Sequence, residues 1–354
     1  MKRKITTSLV HFLLLTVFFT AACQPMVTPP SPETNSSTEN SSEVNSSELN
    51  SSDVNSSTEN SSDVHSSPQT PVRSYTNVSY GTHRLQKMDI HIPAGAQDVY
   101  YPVVLTVHGG EWYRGDKSQL NRYTATVLES DCIHVNINYR LLNNGIELNA
   151  DMPYAEMLND IEIAFDFLSS NAEKYQIDTE NACIAGYSSG GHLALLYAYT
   201  RQNASIPIEL VISEAGPANF MDPKTFTEDG ELWLHESHNG HGTIELIPSM
   251  TKQKRIDLIG DITGKRYGDL GWEESWKNAS PAYAATAASP KTILFYGTHD
   301  SVIPISHAEF LKSKLSNCIL YEILYADHDL YADTAVLNDF NNKLNTLLTE
   351  FKGI

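Results

Sequence analysis

The chain has 354 residues and a formal net charge of −19, with 43 acidic against 24 basic side chains. So acidic a protein has no general attraction for nucleic acid or for anionic lipid headgroups, which excludes both as a basis for its function. The length allows one large α/β domain or two smaller ones, so the organisation must be taken from changes in composition along the chain.

The N-terminus has the order of a secretory signal. Met1–Lys4 is positively charged, an apolar run from Leu9 to Phe19 follows, and small residues precede Cys23. The run is too short for a comfortable membrane span, and an uncleaved anchor helix is the weaker alternative. The small residues and cysteine resemble the lipobox of bacterial lipoproteins, which implies removal of residues 1–22 and lipidation of Cys23. We expect the protein on the extracellular face of a bacterial membrane, lipid-anchored or secreted.

Residues 23–72 are predicted to form a disordered linker. From Thr28 to about Pro71 the sequence consists mainly of Ser, Asn, Thr, Pro and acidic residues, with a five-residue repeat such as Asn35–Glu39. Nothing in this composition can fill a core, which predicts an extended spacer. The repeated Asn-Ser-Ser sequences match an N-glycosylation pattern. We interpret these matches as products of the repeat, because the signal is of bacterial type.

Residues 73–354 alternate short β-rich runs with helical segments, which is typical of an α/β fold with a mostly parallel sheet. Several strands are apolar throughout, so helices must cover both faces. The predicted strands are Leu85–Ile92, Pro102–Val107, Ile133–Tyr139, Ala182–Ala185, Leu210–Ser213, Thr292–Tyr296 and Ile319–Leu324. The predicted helices are Tyr154–Ser170, His192–Tyr199 and Asp333–Phe351.

The segment between Gly216 and Pro290 breaks this alternation. It holds Gly-, His- and Trp-containing pieces without a predicted strand, and it is too long for a simple loop. We expect residues 217–290 to form a cap insertion over the site. His235, His238 and His241 lie within it at spacings of three, so zinc is an alternative there. No carboxylate or cysteine spacing supports such a site, and we expect an exposed cap loop, no metal and no cofactor.

Three cysteines follow Cys23. Cys132, Cys183 and Cys318 each lie in or beside an apolar run that predicts a strand. An odd number of cysteines in a domain of this size favours buried free thiols over a disulfide framework.

A nucleophile elbow is predicted at Gly186-Tyr187-Ser188-Ser189-Gly190. The pentapeptide follows the predicted strand Ala182–Ala185 and precedes a helical run, which is the strand–turn–helix context that an elbow requires. The flanking glycines let strand and helix approach around a serine in a strained backbone conformation. We therefore predict Ser188 as the nucleophile and expect Tyr187 to line the substrate pocket.

The serine needs a general base and an acid to orient that base. In folds with such an elbow the chain order is Ser, acid, His. Asp300 follows the strand Thr292–Tyr296, and His328 follows the last predicted strand, which places both at the carboxyl edge of the sheet. We predict Asp300 as the acid and His328 as the base. Structural roles are expected for the remaining histidines near these motifs, which are His192, His299 and His307.

The sequence His108-Gly109-Gly110-Glu111-Trp112 follows the strand Pro102–Val107 and predicts an oxyanion loop. Glycines allow the backbone to approach the substrate, so its N–H groups can face the charge of a tetrahedral intermediate. The expected donors are Gly110, Glu111 and Ser189. Trp112 is expected to line the substrate pocket, and the His108 ring to hold the loop by hydrogen bonds.

Six motifs occur together in one order: HGGEW, Asn138-Tyr139-Arg140-Leu141, GYSSGGH, Lys277-Asn278-Ala279-Ser280-Pro281, GTHDSVIP and ADHD. In this order they resemble the bacterial carboxylesterases of the α/β-hydrolase family related to acetyl- and feruloyl-esterases and, more distantly, to hormone-sensitive lipase. The resemblance covers roughly Tyr75 to the C-terminus. It implies the α/β-hydrolase fold and ester hydrolysis by a serine triad. The His-Gly-Gly-X-Trp element also resembles kynurenine formamidases.

The expected function is therefore a serine carboxylesterase acting on small-molecule or saccharide esters. Glu111 and Trp112 beside the oxyanion glycines, and a cap segment rich in charges and histidines, favour short acyl groups. The alternatives are an amidase, a formamidase or a peptidase on the same fold. A surface binding module on a degenerate hydrolase scaffold is a further alternative, because a fold does not determine its function.

Overall fold

The computed structural model describes residues 69–96, 98–148, 150–201, 203–227, 250–330 and 334–353. The predicted signal peptide, Cys23 and the linker up to residue 68 lie outside the described residues. So do His235, His238 and His241 of the predicted cap.

An eight-stranded sheet forms the centre of the fold. The strands are β1 Arg73–Ser79, β2 Lys87–Ile92, β3 Tyr101–Val107, β4 Ile133–Asn138, β5 Ile177–Tyr187, β6 Ile208–Glu214, β7 Lys291–Gly297 and β8 Cys318–Ile323. Their order in the sheet is β1-β2-β4-β3-β5-β6-β7-β8; β1, β2 and β4 pair antiparallel, and β3 to β8 pair parallel. This confirms the predicted, mostly parallel sheet. Two-residue strands pair Gln69–Thr70 with Gly95–Ala96, and Leu141–Leu142 with Gly145–Ile146.

Helices connect the strands. They are α1 Thr124–Glu129, α2 Pro153–Ser170, α3 Ala172–Tyr175, α4 Ser189–Thr200, α5 Lys252–Thr263, α6 Trp272–Asn278, α7 Pro281–Ala284, α8 Ser306–Lys312 and α9 Thr334–Lys352. Short 3₁₀ helices span Lys117–Tyr123 and Pro223–Phe226. In the described part of the chain, no helix combines the length and the apolar character needed to cross a membrane.

Both faces of the sheet are covered by helices. On one face, α1 and α9 bury Val127, Phe340 and Leu348 against the strands. On the other face, α2 and α4 pack against the sheet, and the apolar stripe of α2 is buried, which is Leu158, Ile161, Phe165 and Leu168. A fully buried side chain of this size contributes about 1.5–3 kcal/mol relative to an exposed one, so the amphipathic helices supply much of the stability.

The structure extends several predicted elements and adds one strand to the central sheet. β5 begins at Ile177 rather than Ala182, and α4 begins at Ser189 rather than His192. β1 was not predicted, because it is an edge strand in which mainly alternate residues are partly buried. Its pairing with β2 is also irregular between Tyr75 and Val78, where Asn77 has a φ of 56°.

The three cysteines of this domain are free thiols, as predicted. Cys132 and Cys183 are buried, whereas Cys318 is only half-buried. Burial raises the pKa of Cys132 to about 12 and that of Cys318 to about 11. The thiols are therefore neutral at physiological pH and unsuited to nucleophilic chemistry.

The described part of the predicted cap, 217–227 and 250–290, contains helices and turns and no strand. Helix α5 packs against α2, and its buried side chains include Ile256, Ile259 and Ile262. The extent of the cap as a separate unit remains a prediction.

Candidate active site

Ser188, Asp300 and His328 lie at the carboxyl ends of three parallel strands of the central sheet. Ser188 follows β5, Asp300 follows β7 and His328 follows β8. Parallel strands end at the same edge of a sheet, so three residues far apart in sequence meet in one place.

Ser188 stands on a strained turn. Its φ is 52° and its ψ is −122°, a conformation that costs a non-glycine residue about 1–3 kcal/mol. The surrounding backbone holds it there, since its N–H donates to Glu214 O at 2.8 Å. The glycines are needed for space: a Cβ at Gly186 would lie 2.3 Å from Gly190 O, and one at Gly190 would lie 2.0 Å from Val107 O.

A chain of hydrogen bonds joins the three side chains. Ser188 Oγ lies 3.0 Å from His328 Nε2, and His328 Nδ1 lies 2.8 Å from Asp300 Oδ2. Asp300 Oδ1 accepts hydrogen bonds from the backbone N–H groups of Val302 at 2.9 Å and Ile303 at 2.8 Å. Because Asp300 accepts at Nδ1, the imidazole carries its proton there and leaves Nε2 as an acceptor for the serine proton. This arrangement can activate a hydroxyl as a nucleophile.

Tyr187 lines the same cavity as Ser188, and its contact with substrate remains a prediction. Its hydroxyl also donates to the backbone carbonyl of His328 at 3.1 Å, a contact that the sequence did not suggest. The two rings are 5.5 Å apart. Tyr187 therefore helps to hold the loop that carries His328.

The predicted oxyanion loop has an unusual backbone. Gly110, Glu111 and Trp112 all have positive φ, at 122°, 56° and 63°. The carbonyl of Gly110 accepts from the N–H groups of Tyr113 at 3.1 Å and Arg114 at 3.0 Å, which closes the turn. The three expected donors Gly110, Glu111 and Ser189 line one cavity with Ser188. Their role as donors remains a prediction.

The loop packs directly against the predicted nucleophile elbow, and buried side chains beneath the loop hold it in place. A Cβ at Gly109 would lie 3.1 Å from Ser188 Cβ, so the glycine permits this approach. The buried His108 ring bonds Gly109 O through Nδ1 at 2.8 Å and stacks on Tyr139 with 4.6 Å between ring centroids. The Tyr139 hydroxyl donates to His108 O at 3.0 Å. Burial lowers the pKa of His108, so this ring is neutral, which agrees with the structural role expected for it.

Glu111 ties the predicted oxyanion loop to helix α5 of the predicted cap. Its carboxylate pairs with Lys254 of α5 at 2.9 Å and with Arg114 at 3.3 Å. The Tyr113 hydroxyl donates to Asp261, also on α5. No local pattern predicted these contacts, because they join segments about 140 residues apart in the sequence.

Trp112 and His192 form a second link to the cap. Trp112 Nε1 donates to His192 Nδ1 at 3.3 Å, and His192 Nε2 donates to the carbonyl of Ala279 at 2.8 Å. Burial lowers the pKa of His192 to about 4, which keeps the ring neutral and lets it accept and donate at once. The structural role expected for His192 fits these bonds.

A cavity of about 940 Å³ opens above Ser188. Its apolar wall includes Trp112, Phe220, Leu258 and Ile259, and α5 of the predicted cap contributes the last two. Of the aromatic residues predicted for the cap, Phe220 lines the cavity. Trp272 and Trp276 instead pack against Phe226 and Tyr267, and Trp233 lies outside the described residues.

Comparison with known families agrees with this geometry. The BD-FAE family model matches residues 88–315, well over half of the chain. The chain belongs to the BD-FAE family. The match begins in β2 and ends beyond α8, so it includes Ser188 and Asp300 but stops before His328.

Two curated relatives of this family member are named as esterases. The probable isoprenylcysteine alpha-carbonyl methylesterase ICMEL1 of Arabidopsis thaliana is 25% identical over 260 residues, covering 70% of this chain and 49% of the relative. Esterase LipC of Mycobacterium tuberculosis is 21% identical over 240 residues, covering 67% and 54%. The chain spans about half the length of these curated relatives.

Solved structures share the fold. A truncated carbohydrate esterase from gut microbiota superposes with a TM-score of 0.58 at 19% identity, covering 78% of this chain and 96% of the other. Carboxyl esterase 2 of the fungus Tuber melanosporum has a TM-score of 0.57 at 18% identity, covering 80% and 88%. The predicted α/β-hydrolase fold is thus confirmed.

Proposed function

We propose that the protein is a serine carboxylesterase that hydrolyses short-acyl esters, with saccharide esters among its substrates. The observation that carries this proposal is the hydrogen-bond chain Ser188–His328–Asp300 beneath a glycine loop. The names of the relatives support an ester as the bond that is cleaved.

The first half-reaction acylates the serine. Ser188 Oγ attacks the ester carbonyl carbon while His328 Nε2 takes the hydroxyl proton, and Asp300 stabilises the imidazolium. The carbonyl oxygen becomes an oxyanion, for which the N–H groups of Gly110, Glu111 and Ser189 are the proposed donors. The C–O bond to the leaving group then breaks, and His328 returns the proton to the departing alkoxide, which leaves as an alcohol.

The second half-reaction removes the acyl group. Water attacks the acyl-enzyme as His328 Nε2 takes its proton, and the bond to Ser188 Oγ breaks as that proton is returned. The products are a carboxylic acid and the free enzyme. Every proton is moved by His328, so the chain's own residues account for the whole reaction.

Short acyl groups should be preferred. The cavity combines an apolar wall with charged side chains such as Arg114 and Lys254. A buried methylene contributes about 0.8 kcal/mol only where water is excluded, so a charged cavity gains little from a long chain. In a series of 4-nitrophenyl acetate, butyrate, octanoate and palmitate, kcat/KM should be highest for acetate or butyrate. A value that rises through octanoate would contradict this preference.

The same assay distinguishes an esterase from an amidase. 4-Nitroacetanilide has the acyl group of 4-nitrophenyl acetate but an amine leaving group, which must be protonated for departure. The ester should be hydrolysed much faster. Faster turnover of the anilide would favour the amidase alternative.

We further propose that the protein is lipid-anchored through Cys23 outside the cell. The support is the sequence alone, in which small residues precede Cys23 after an apolar run. Cys23→Ser should move the protein from the membrane fraction to the soluble or secreted fraction and remove metabolic fatty-acid labelling. Labelling that persists in this variant would contradict lipidation at Cys23.

A further inference from the structure

Among the residues that the structure describes, the cavity above Ser188 has more basic than acidic side chains, although the protein is acidic. Three described acidic residues line it, Glu111, Asp300 and Asp329. Five basic residues also line it, which are Arg114, Arg122, Lys224, Lys254 and Arg255. In a chain of net charge −19 this local excess of positive charge points to an anionic feature of the ligand.

Most of these cations already have partners in the protein. Arg114 and Lys254 both pair with Glu111. Arg122 lies 3.5 Å from the buried carboxylate of Glu214. Lys224 is different, because its side chain is exposed toward the cavity and makes no ion pair with any residue that the structure describes.

The backbone of Lys224 is held in place. It lies in the 3₁₀ helix Pro223–Phe226, and its N–H donates to the buried carboxylate of Asp222 at 2.8 Å. The other nearby carboxylate, Asp300, is occupied by His328 and two backbone N–H groups. The backbone of Lys224 is therefore fixed at the cavity wall, and its exposed side chain can reach a ligand in the cavity.

His307 adds a hydrogen-bond donor on the same wall. Its Nδ1 accepts from the backbone N–H groups of Ala218 at 3.2 Å and Asn219 at 3.1 Å. Burial lowers the pKa of His307 to about 4, so the ring is neutral and its proton lies on Nε2. The side chain is only 5% exposed, yet it lines the cavity, and Nε2 has no hydrogen-bond partner among the described residues. This N–H can therefore donate to an acceptor that enters the cavity.

We propose that Lys224 Nζ and His307 Nε2–H form a subsite for a carboxylate of the substrate. One ammonium and one neutral N–H donor match a single negative charge shared by two acceptor oxygens. The preferred substrates are then esters that also carry a free carboxylate, such as O-acylated acidic sugars. This inference rests on the proposed esterase function and specifies its substrate class.

Two matched substrate pairs test the subsite. One pair is 4-nitrophenyl hemisuccinate and 4-nitrophenyl succinamate, in which the charge lies on the acyl side. The other is O-acetylated glucuronic acid and O-acetylated glucuronamide, in which it lies on the alcohol side. In at least one pair the wild-type protein should show a kcat/KM for the acid about tenfold or more above that for the neutral amide, since hydrogen bonds to a charged group are strong.

Variants assign this preference to the two residues. Lys224→Met should reduce the acid-to-amide ratio to about one. His307→Asn keeps an acceptor for the Ala218 and Asn219 amides, but its shorter side chain has no donor at the position of Nε2, so the ratio should fall partway. Lys312→Met removes the same charge from an exposed position on α8 that does not line the cavity, and it should keep the wild-type ratio.

The outcomes distinguish the two proposals. A wild-type ratio of one or less in both pairs would overturn the carboxylate subsite, and so would equal ratios in Lys224→Met and Lys312→Met. Neither result would affect the esterase proposal, because the neutral members would still be hydrolysed. If no ester is hydrolysed and a fluorophosphonate probe leaves Ser188 unlabelled, the proposed function itself fails, and this inference fails with it.

Discussion

Ser188→Ala should lower kcat/KM for 4-nitrophenyl acetate by about 10⁴-fold or more, because the substitution removes the atom that forms the acyl-enzyme. His328→Ala should cost a similar factor, since a serine hydroxyl without its base is a poor nucleophile. Asp300→Asn should lower kcat/KM by a somewhat smaller factor, because His328 remains as the base while the orientation of its ring is lost. The double variant Ser188→Ala/His328→Ala should be little worse than either single variant, because the residues act as one unit.

A nearby histidine provides the matched control. His299 precedes Asp300 in the chain, and its ring lies against Tyr325 at 5.4 Å rather than in the hydrogen-bond chain. His299→Ala should therefore reduce activity far less than His328→Ala. A fluorophosphonate probe should label the wild-type protein and His299→Ala but not Ser188→Ala. Near-wild-type turnover in Ser188→Ala would disprove the proposed mechanism.

The free energy of unfolding should fall steeply as the pH is lowered from about 6.5 toward 4. Burial lowers the pKa of His192 and His307 to about 4 and that of His134 to about 3, against 6.5 for an exposed histidine. Between these values the unfolded chain binds protons that the folded protein cannot. The stability contributed by the neutral rings is complete above pH 6.5 and is lost below it.

The expected size of this effect is large. One pKa unit corresponds to about 1.4 kcal/mol. A ring such as His192 therefore lowers the free energy of unfolding by about 3 kcal/mol by pH 4. Domains are stable by only about 5–15 kcal/mol, so three such rings can bring the protein close to unfolding. Urea unfolding between pH 8 and pH 4 would measure the change. A free energy that stays constant from pH 7 to pH 5 would contradict the prediction.

A variant can assign part of this slope to one ring. The buried His134 lies on β4, and its nitrogens contact the hydroxyls of Thr106 at 3.2 Å and Thr124 at 2.9 Å. His134→Gln keeps polar atoms for these hydroxyls but removes a group that titrates. The variant should be less stable than the wild-type protein at pH 8. Its free energy of unfolding should change less between pH 8 and pH 4 than that of the wild-type protein.

The parallel strands could be predicted because their character is local. A strand covered on both faces has a continuous apolar sequence, and in β3 every residue is buried. The edge strand β1 lacks this signal, since its burial depends on one neighbouring strand and its sequence is mostly polar. The start of α4 was placed three residues late, because Ser189, Gly190 and Gly191 have no apolar periodicity even though packing against the strands buries them.

The three central residues of the site could be predicted because their positions also depend on local sequence patterns and on the order of the strands. Ser188 lies in a turn whose glycines and flanking elements are contiguous in the chain, and Asp300 and His328 follow strands that end at the same edge of the sheet. The roles of these residues remain predictions that the substitutions above can test. His307 was expected to be structural, and its Nδ1 contacts agree with that. Its unpartnered Nε2 had no signal in the sequence.

The sequence by itself determined the fold class, the three candidate catalytic residues and the glycine loop beside them, because each depends on a short pattern or on the order of strands. Tertiary structure decided which charges enter the cavity and which are neutralised. Lys224 and Lys254 are both lysines of the predicted cap, but the Lys254 ammonium pairs with Glu111 at 2.9 Å while the Lys224 ammonium makes no ion pair with a described residue. Pairing of charges depends on distances of a few ångströms between segments far apart in the chain, and no local pattern encodes those distances.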